Sequence, residues 1–342
     1  MTSVPVALTA KDLKTDQEVR WCPGCGDYAI LAAVQSFMPE LAIPKERMVF
    51  ISGIGCSSRF PYYMETYGVH SIHGRAPAIA TGLAVSRPDL SVWVVTGDGD
   101  ALSIGGNHLI HALRRNVNLK ILLFNNRIYG LTKGQYSPTS ELGKVSKSTP
   151  LGSADAPFNP ISLALGAEAS FVARTIDSDR KHLQSVLRAA AQHQGSAFVE
   201  IYQNCNIFND GAFDLLKDAG TREAALIPLE HGQPLTFGTD GQSAVVRSAS
   251  GFGLEVRATA EVAPEQIIVH DETVAEPAYA FALSRLPMAD LSHTPIGVFR
   301  NVDRPTYDGL VRAQVDAAMS KVDDPNAELT KLLNSGDTWT IL

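Results

Sequence analysis

Short apolar runs along the chain end repeatedly in glycine, aspartate or asparagine. The clearest runs are 47–52 (RMVFIS), 91–96 (SVWVVT), 119–124 (LKILLF) and 196–201 (SAFVEI), each followed by a turn-forming segment. The runs are continuously apolar rather than alternating with polar residues, which is typical of strands that are buried on both faces. The pattern therefore predicts strands of a parallel sheet.

Between these runs lie segments whose apolar residues recur at helical spacing. They cover 27–38, 76–86, 105–115 and 178–192. The alternation of such helices with buried strands predicts an α/β fold, a parallel sheet with helices on both faces.

The regular alternation ends near residue 205. The later part of the chain is richer in Gly, Pro and charge, and only 267–271 and 306–321 suggest a strand or a helix. We therefore predict an α/β domain over 1–205 and a C-terminal extension over 206–342 that packs on the core or on a partner. A partly flexible tail is the alternative.

Composition narrows the class of protein. The 342 residues carry a formal net charge of −7, which argues against a nucleic-acid binder. The stretch 1–20 lacks the basic start and apolar run of a secretory signal, and no apolar run is long enough to span a bilayer. Four cysteines are too few for a disulfide scaffold, so we expect a cytoplasmic protein with no membrane partner.

Two of the predicted strands end in residues that suit a metal and a diphosphate. Asp98 lies between glycines directly after the run 91–96, and Asn126 follows the run 119–124. Because ligands of open α/β sheets bind beyond the carboxyl ends of the strands, neighbouring strands would bring both side chains into one crevice. Their oxygens suit Mg²⁺, and the glycines let a diphosphate approach the main chain.

The spacing of GDG, 25 residues and NN resembles the magnesium–diphosphate motif of the thiamine diphosphate enzymes. Either turn alone would be ordinary, whereas both at this spacing are specific. The resemblance implies a thiamine diphosphate-binding fold in which Asp98, Asn126 and the Ile128 carbonyl hold Mg²⁺. It also implies that the remaining cofactor-binding residues are Gly97, Gly99, Asp100, Gly130, Leu131 and Thr132.

The four cysteines form a candidate metal site. Cys22 and Cys25 precede a predicted helix, while Cys56 and Cys205 follow predicted strands. Spacing alone favours zinc and a [4Fe–4S] cluster equally. A thioredoxin-like pair is disfavoured because the Cys-x-x-Cys does not open a helix directly after a strand, and four unrelated buried thiols remain the plainest alternative. The thiamine site favours the cluster, since decarboxylation leaves an enamine that needs an electron acceptor.

Several stretches in the same order resemble the β subunits of 2-oxo acid:ferredoxin oxidoreductases, most closely the 2-oxoglutarate type. They are WCPGCGDYAI, GIGCSS, HGRAPAIATGLA, GDGDALSIGGNHLIHALRRN, LLFNNRIYGLTKGQYSPTS and IYQNCNIFND. The resemblance covers most of 15–210. It implies a [4Fe–4S] cluster on the four cysteines and oxidative decarboxylation of 2-oxoglutarate with CoA to succinyl-CoA and CO₂. Electrons would pass to ferredoxin, and the reverse direction would use the same site.

The family resemblance also implies a partner. Thiamine enzymes use a glutamate of a separate pyrimidine-binding domain, and this chain has one such α/β domain only. The glutamate would belong to an α subunit, with the cofactor at the interface of an α₂β₂ assembly. Alternatives are a pyruvate or branched-chain 2-oxo acid enzyme, a zinc-clipped non-catalytic binding module, and a non-oxidative thiamine lyase with structural zinc.

Four further residues are candidates by resemblance. The loop with His73 and Arg75 would face the diphosphate or the reacting carbon, where His73 would stabilise an oxyanion or move a proton as a catalytic residue. Ser57 would bind the cofactor or a cluster sulfur. Without the resemblance, His73 would be a surface or capping histidine and Ser57 a cap. Lys133 is either an exposed lysine or a cation for the distal carboxylate of 2-oxoglutarate.

Overall fold

The computed structural model describes residues 8–251, 253–286 and 290–341. Residues 1–7 lie outside the described part; they are the start of the segment in which no secretory signal is predicted. Residues 252, 287–289 and 342 of the predicted extension also lie outside it. The strands are β1 (Met48–Ser52), β2 (Tyr67–His70), β3 (Ser91–Gly97), β4 (Lys120–Asn125), β5 (Phe171–Ile176), β6 (Ala197–Tyr202), β7 (Leu226–Leu229), β8 (Thr236–Phe237), β9 (Ser243–Arg247), β10 (Leu254–Ala258) and β11 (Thr294–Asn301).

Eight of these strands form one sheet in the order β2-β1-β3-β4-β6-β5-β11-β7, and β8 to β10 form a small second sheet. Strands β1 to β6 pair in parallel. The predicted α/β fold is therefore confirmed, and each of the four predicted runs is a strand of the main sheet.

Helices pack on both faces of the main sheet. The helices of the described chain are α1 (Asp27–Phe37), α2 (Ala76–Ser86), α3 (Asp98–Leu102), α4 (Gly106–Arg115), α5 (Pro160–Gly166), α6 (Arg180–Gln192), α7 (Arg222–Ala225), α8 (Ala278–Ser284), α9 (Tyr307–Met319) and α10 (Pro325–Leu333). Successive residues of one strand point to opposite faces, so Phe50 packs against α1 and α6 while Val49 packs in the core beneath α2, α4, α5 and α8. Because both faces are covered, the strands carry no polar alternation.

The main sheet continues beyond residue 205. Strand β11 pairs antiparallel with β5, and β7 pairs in parallel with β11, so these two strands run against the other six. The expectation of a parallel sheet therefore holds for β1 to β6 but not for this edge. Residues 267–271 make isolated bridges to Val246 and Pro234 rather than a strand, and the helical pattern over 306–321 corresponds to α9.

The carboxyl ends of β1, β3, β4 and β6 lie at one edge of the sheet because these strands are parallel neighbours. Their loops begin at Gly53, Asp98, Asn126 and Gln203. These loops carry most of the candidate residues. No helix in the described ranges combines the length and apolarity that crossing a membrane requires.

Candidate active site

Strands β3 and β4 are hydrogen-bonded neighbours, so the turns that follow them lie side by side. Asp98 and Asn126 line the same cavity, which has a volume of about 660 Å³. The other predicted residues along its wall are Ser57, His73, Gly97, Gly99, Asp100, Ile128, Gly130, Leu131 and Thr132. Every predicted cofactor-binding residue except Arg75 thus borders one space.

The Asp98 carboxylate is buried and held from one side. The hydroxyls of Ser137 and Thr139 donate to its Oδ2 at 2.5 and 2.6 Å. Burial raises the pKa of Asp98 to about 6, although both hydroxyls stabilise the ionised form. Within the described chain, Oδ1 has no side-chain donor, and the main-chain N–H groups of Gly99 and Asp98 also stabilise the carboxylate.

The two asparagines after β4 turn in different directions. Asn126 donates from Nδ2 to Gln203 Oε1 at 2.9 Å, and its Oδ1 accepts from the main-chain N–H of Ile128 at 3.1 Å. Asn125 instead donates to the buried Glu200 at 2.7 Å, which pairs with Arg174. Asn126 is therefore the asparagine of this pair that borders the cavity.

The carboxylate of Asp100 organises the loops around the cavity. Its Oδ1 accepts from His73 Nδ1 at 2.6 Å and from the main-chain N–H groups of Gly74 and Ile54 at 2.8 and 3.0 Å. Thr96 donates to Oδ2 at 2.6 Å. Because protein donors surround both oxygens, the side chain of Asp100 joins the ends of β1, β2 and β3.

The close approach of these loops depends on glycine. A Cβ on Gly53 would lie 1.9 Å from Asp100 Oδ2. Gly74 has φ +73°, and a Cβ there would lie 2.5 Å from the main-chain nitrogen of Gly105. Side chains at either position would displace the Asp100 carboxylate or the loop that carries His73.

His73 and Arg75 play different geometric roles. His73 borders the cavity with 36% of its side chain exposed, while its Nδ1 is held by Asp100. The guanidinium of Arg75 donates to the carbonyls of His73 and Ile104 at 3.1 and 3.3 Å and does not border the cavity. Ser57 is buried, with its hydroxyl beside Gly97.

All four cysteines are free, and their thiols influence one another. Burial, the charge of Asp27 and the thiols of Cys205 and Cys22 raise the pKa of Cys56 to about 12. The pKa of Cys25 is raised by burial first, with Asp27, Cys205 and Cys56 contributing. Among the described residues, no three or more His, Cys, Asp or Glu side chains converge on a position for a single metal ion.

Hydrogen bonds join the loops that carry the cysteines. The main-chain N–H of Gly26 donates to the carbonyl of Asn204 at 3.1 Å, and Asn206 donates to the carbonyl of Pro23 at 2.6 Å. The indole N–H of Trp21 donates to the Cys56 carbonyl at 2.7 Å. The three cysteine-bearing segments therefore meet at one end of the sheet.

The cysteine region adjoins the cavity through Gly130. A Cβ at this position would lie 3.4 Å from Cys56 Sγ and 3.6 Å from Cys205 Sγ. Cys56 itself borders the cavity. Two of the four thiols, those of Cys56 and Cys205, therefore lie beside the predicted diphosphate turn.

The sequence alone does not identify three polar residues of this region. Ser137 and Thr139 lie in the irregular segment after β4, and Gln203 lies two residues before Cys205. The only signal in the sequence is polarity beside a motif, which does not reveal a hydrogen-bond partner.

Comparisons with known proteins identify the family. Residues 53–201 match the family model described as thiamine pyrophosphate enzyme, C-terminal TPP binding domain. The chain is 67% identical over 331 residues to the 2-oxoglutarate oxidoreductase subunit KorB of Mycobacterium tuberculosis, a match that covers 97% of this chain and 88% of the relative. It is 46% identical over 190 residues to the 2-oxoacid:ferredoxin oxidoreductase 1 subunit beta of Aeropyrum pernix, covering 56% and 60% of the two chains.

A solved structure is similar over nearly the whole chain. It is described as 2-oxoglutarate:ferredoxin oxidoreductase from Magnetococcus marinus with 2-oxoglutarate, coenzyme A and succinyl-CoA bound. The TM-score is 0.76 at 33% sequence identity, and the match covers 96% of each chain. The likeness thus extends through the strands beyond residue 205.

Proposed function

Because the chain belongs to the β subunits of the 2-oxo acid:ferredoxin oxidoreductases, and among them to the 2-oxoglutarate type, we propose that it holds Mg²⁺–thiamine diphosphate beside a [4Fe–4S] cluster. The observation that carries this proposal is the position of Gly130. Its turn borders the cavity and packs against the sulfur atoms of Cys56 and Cys205. One loop therefore serves both cofactor sites.

The magnesium ligands in this proposal are the Asp98 carboxylate, the Asn126 amide oxygen and the Ile128 carbonyl. All three residues border the cavity, and their oxygens are the hard ligands that Mg²⁺ prefers. The main chains of Gly97 and Gly99 and of the turn Gly130-Leu131-Thr132 would hold diphosphate oxygens, and Ser57 lies beside them.

We assign His73 as the residue that moves a proton or stabilises negative charge at the reacting centre. Thiamine diphosphate, when bound, supplies a nucleophilic carbon for the 2-oxo acid and a temporary store for the electrons that decarboxylation leaves. Asp100 holds His73 Nδ1 at 2.6 Å, which leaves Nε2 for this task. Arg75 is a positioning residue, because it holds the carbonyl of His73.

The cluster ligands in this proposal are Cys22, Cys25, Cys56 and Cys205. A cluster beside the Gly130 turn would accept electrons over a short distance and pass them to ferredoxin. Zinc on the same thiols would have no redox role.

We propose the reaction of 2-oxoglutarate with CoA to succinyl-CoA and CO₂, reversible at the same site. The 2-oxoglutarate, coenzyme A and succinyl-CoA bound in the Magnetococcus marinus structure support this choice over pyruvate or a branched-chain 2-oxo acid. An α subunit would supply the pyrimidine-activating glutamate in an α₂β₂ assembly, and the relatives' names, subunit KorB and subunit beta, support the presence of other subunits. A cytoplasmic location remains a prediction.

The test is a metal analysis of the chain purified without oxygen together with its α partner. We expect four irons and four sulfides per chain and an EPR signal after reduction with dithionite, and Cys205→Ser should lose that signal. A panel of 2-oxo acids should show 2-oxoglutarate as the preferred substrate. Stoichiometric zinc without an EPR signal would instead support the lyase or the binding module.

A further inference from the structure

One buried side chain touches both proposed cofactor sites. Gln203 follows β6 directly and is 1% exposed. Its Oε1 accepts from Asn126 Nδ2 at 2.9 Å, and its Nε2 donates to Cys25 Sγ at 3.2 Å. The same Nε2 donates to the carbonyl of Asn204 at 2.6 Å.

These contacts fix the orientation of the glutamine amide. The carbonyl of Asn204 can only accept, so the nitrogen of the Gln203 amide must face it. The second hydrogen on that nitrogen reaches the sulfur of Cys25, and the oxygen is left facing Asn126. No alternative amide assignment satisfies both neighbours.

The orientation of the Gln203 amide also determines the orientation of the Asn126 amide, the proposed magnesium ligand. An oxygen from Gln203 accepts only a donor, so Asn126 must present its Nδ2 there. Its Oδ1 then faces the Ile128 N–H, from which it accepts at 3.1 Å, and Asn126 borders the cavity. A fixed main-chain carbonyl thus determines which atom of Asn126 is offered to a cation.

We propose that Gln203 is a positioning residue that couples the two sites, presenting the Asn126 oxygen to magnesium and donating a hydrogen bond to the cluster ligand Cys25. This inference rests on the proposed function, since it takes Asn126 and Cys25 as ligands. A hydrogen bond to a cysteine sulfur stabilises the more negative, reduced cluster and raises its reduction potential.

The experiment compares Gln203→Leu and Gln203→Glu with the wild-type αβ complex, purified without oxygen. An EPR-monitored redox titration gives the midpoint potential of the cluster. Calorimetry of thiamine diphosphate binding at several Mg²⁺ concentrations gives the apparent dissociation constant of Mg²⁺. Gln184→Leu is the matched control, because Gln184 is a half-buried glutamine on α6 that contacts Ser36 instead.

We expect Gln203→Leu to lower the midpoint potential and to weaken the apparent Mg²⁺ affinity several-fold, since both hydrogen bonds are lost. Gln203→Glu keeps an acceptor for Asn126, but the protonated carboxyl expected in this buried position has one hydrogen, which the Asn204 carbonyl accepts, so none is left for Cys25. It should therefore lower the potential while retaining magnesium affinity near that of the wild type. The control should change neither quantity.

A wild-type midpoint in Gln203→Leu with full iron content would overturn the coupling while leaving the proposed function intact. Loss of the cluster from both variants would assign Gln203 to cluster assembly instead and would overturn it as well. Absence of iron from the wild-type complex would overturn the proposed function together with this inference.

Discussion

The Asp98 carboxylate lies in a setting that a cation would complete. Ser137 and Thr139 hold one of its oxygens, while burial makes the ionised form costly and raises its pKa to about 6. Thiamine diphosphate with Mg²⁺ brings a positive charge to this carboxylate. Binding of the metal and ionisation of Asp98 are therefore linked.

We predict that the apparent affinity for Mg²⁺, measured through thiamine diphosphate binding, falls about fourfold when the pH is lowered from 7.5 to 5.5. The reason is that only the ionised fraction of Asp98 binds the metal. For the stability of the metal-free protein, the direction of the pH dependence follows from the pKa of Asp98, which is about 6 in the folded state against 3.8 in the reference state. Protonated Asp98 stabilises the metal-free fold at low pH, and this contribution is lost as the pH rises through 6. Calorimetry at the two pH values measures the effect.

Asp98→Asn is the control for this pH dependence. The amide does not titrate, so its weaker metal affinity should change little between the two pH values. Equal affinities of the wild-type protein at pH 7.5 and 5.5 would contradict the metal assignment of Asp98.

At the scale of elements, the site depends on how closely the strand ends pack. We predict that Gly53→Ala destabilises the protein by about 1–3 kcal/mol, because its Cβ would lie 1.9 Å from Asp100 Oδ2. Displacement of Asp100 should also release His73 and lower turnover. Urea unfolding of protein with equal iron content, together with steady-state kinetics, measures both effects.

Gly82→Ala provides the matched comparison. Gly82 is exposed in the interior of α2, and a Cβ there meets nothing within 4 Å. The substitution should stabilise the protein by about 0.5–1 kcal/mol because alanine has less freedom to lose on folding. A destabilised Gly82→Ala, or an undisturbed Gly53→Ala, would show that packing at the strand ends is not the controlling factor.

The elements that the sequence predicts are those buried on both faces. Strands β1, β3, β4 and β6 stand out because all of their central residues are covered and nearly all are apolar, Glu200 of β6 being the charged exception. Strand β5 carries Arg174, whose charge interrupts the apolar run and whose partner Glu200 lies on β6. Strand β2 lies at the exposed edge, and its four residues show no burial pattern. In both strands the composition reflects the position in the folded sheet, which the local sequence does not reveal.

The same limit applies to the candidate site. Asp98 and Asn126 are predictable because each follows a recognisable strand, and the two strands prove to be neighbours. The role of Asp100 is not predictable, because its donors come from strand β3 and from the loops that follow β1 and β2. Gln203 likewise acquires its meaning only when β4 and β6 pair and bring Asn126 beside it.

At the scale of the whole molecule, the C-terminal part has two levels of attachment. Asp308 at the start of α9 is buried and accepts from the Asn118 N–H at 2.9 Å, and Asn116 donates to the carbonyl of Arg304 at 3.0 Å. In contrast, α10 has no buried residue, and every described residue from 323 to 341 is exposed. An isolated helix of nine residues contributes little stability of its own.

We therefore predict that removing 323–342 changes the free energy of unfolding by no more than about 0.5 kcal/mol, the usual range for changes confined to the surface. Removing 303–342 should cost several times more, because it leaves the Asn118 N–H without its acceptor Asp308 and uncovers α2. Urea unfolding of both truncated chains at equal iron content measures the difference. A large loss in the shorter truncation would mean that 323–342 contributes to the stability of the fold despite its exposure.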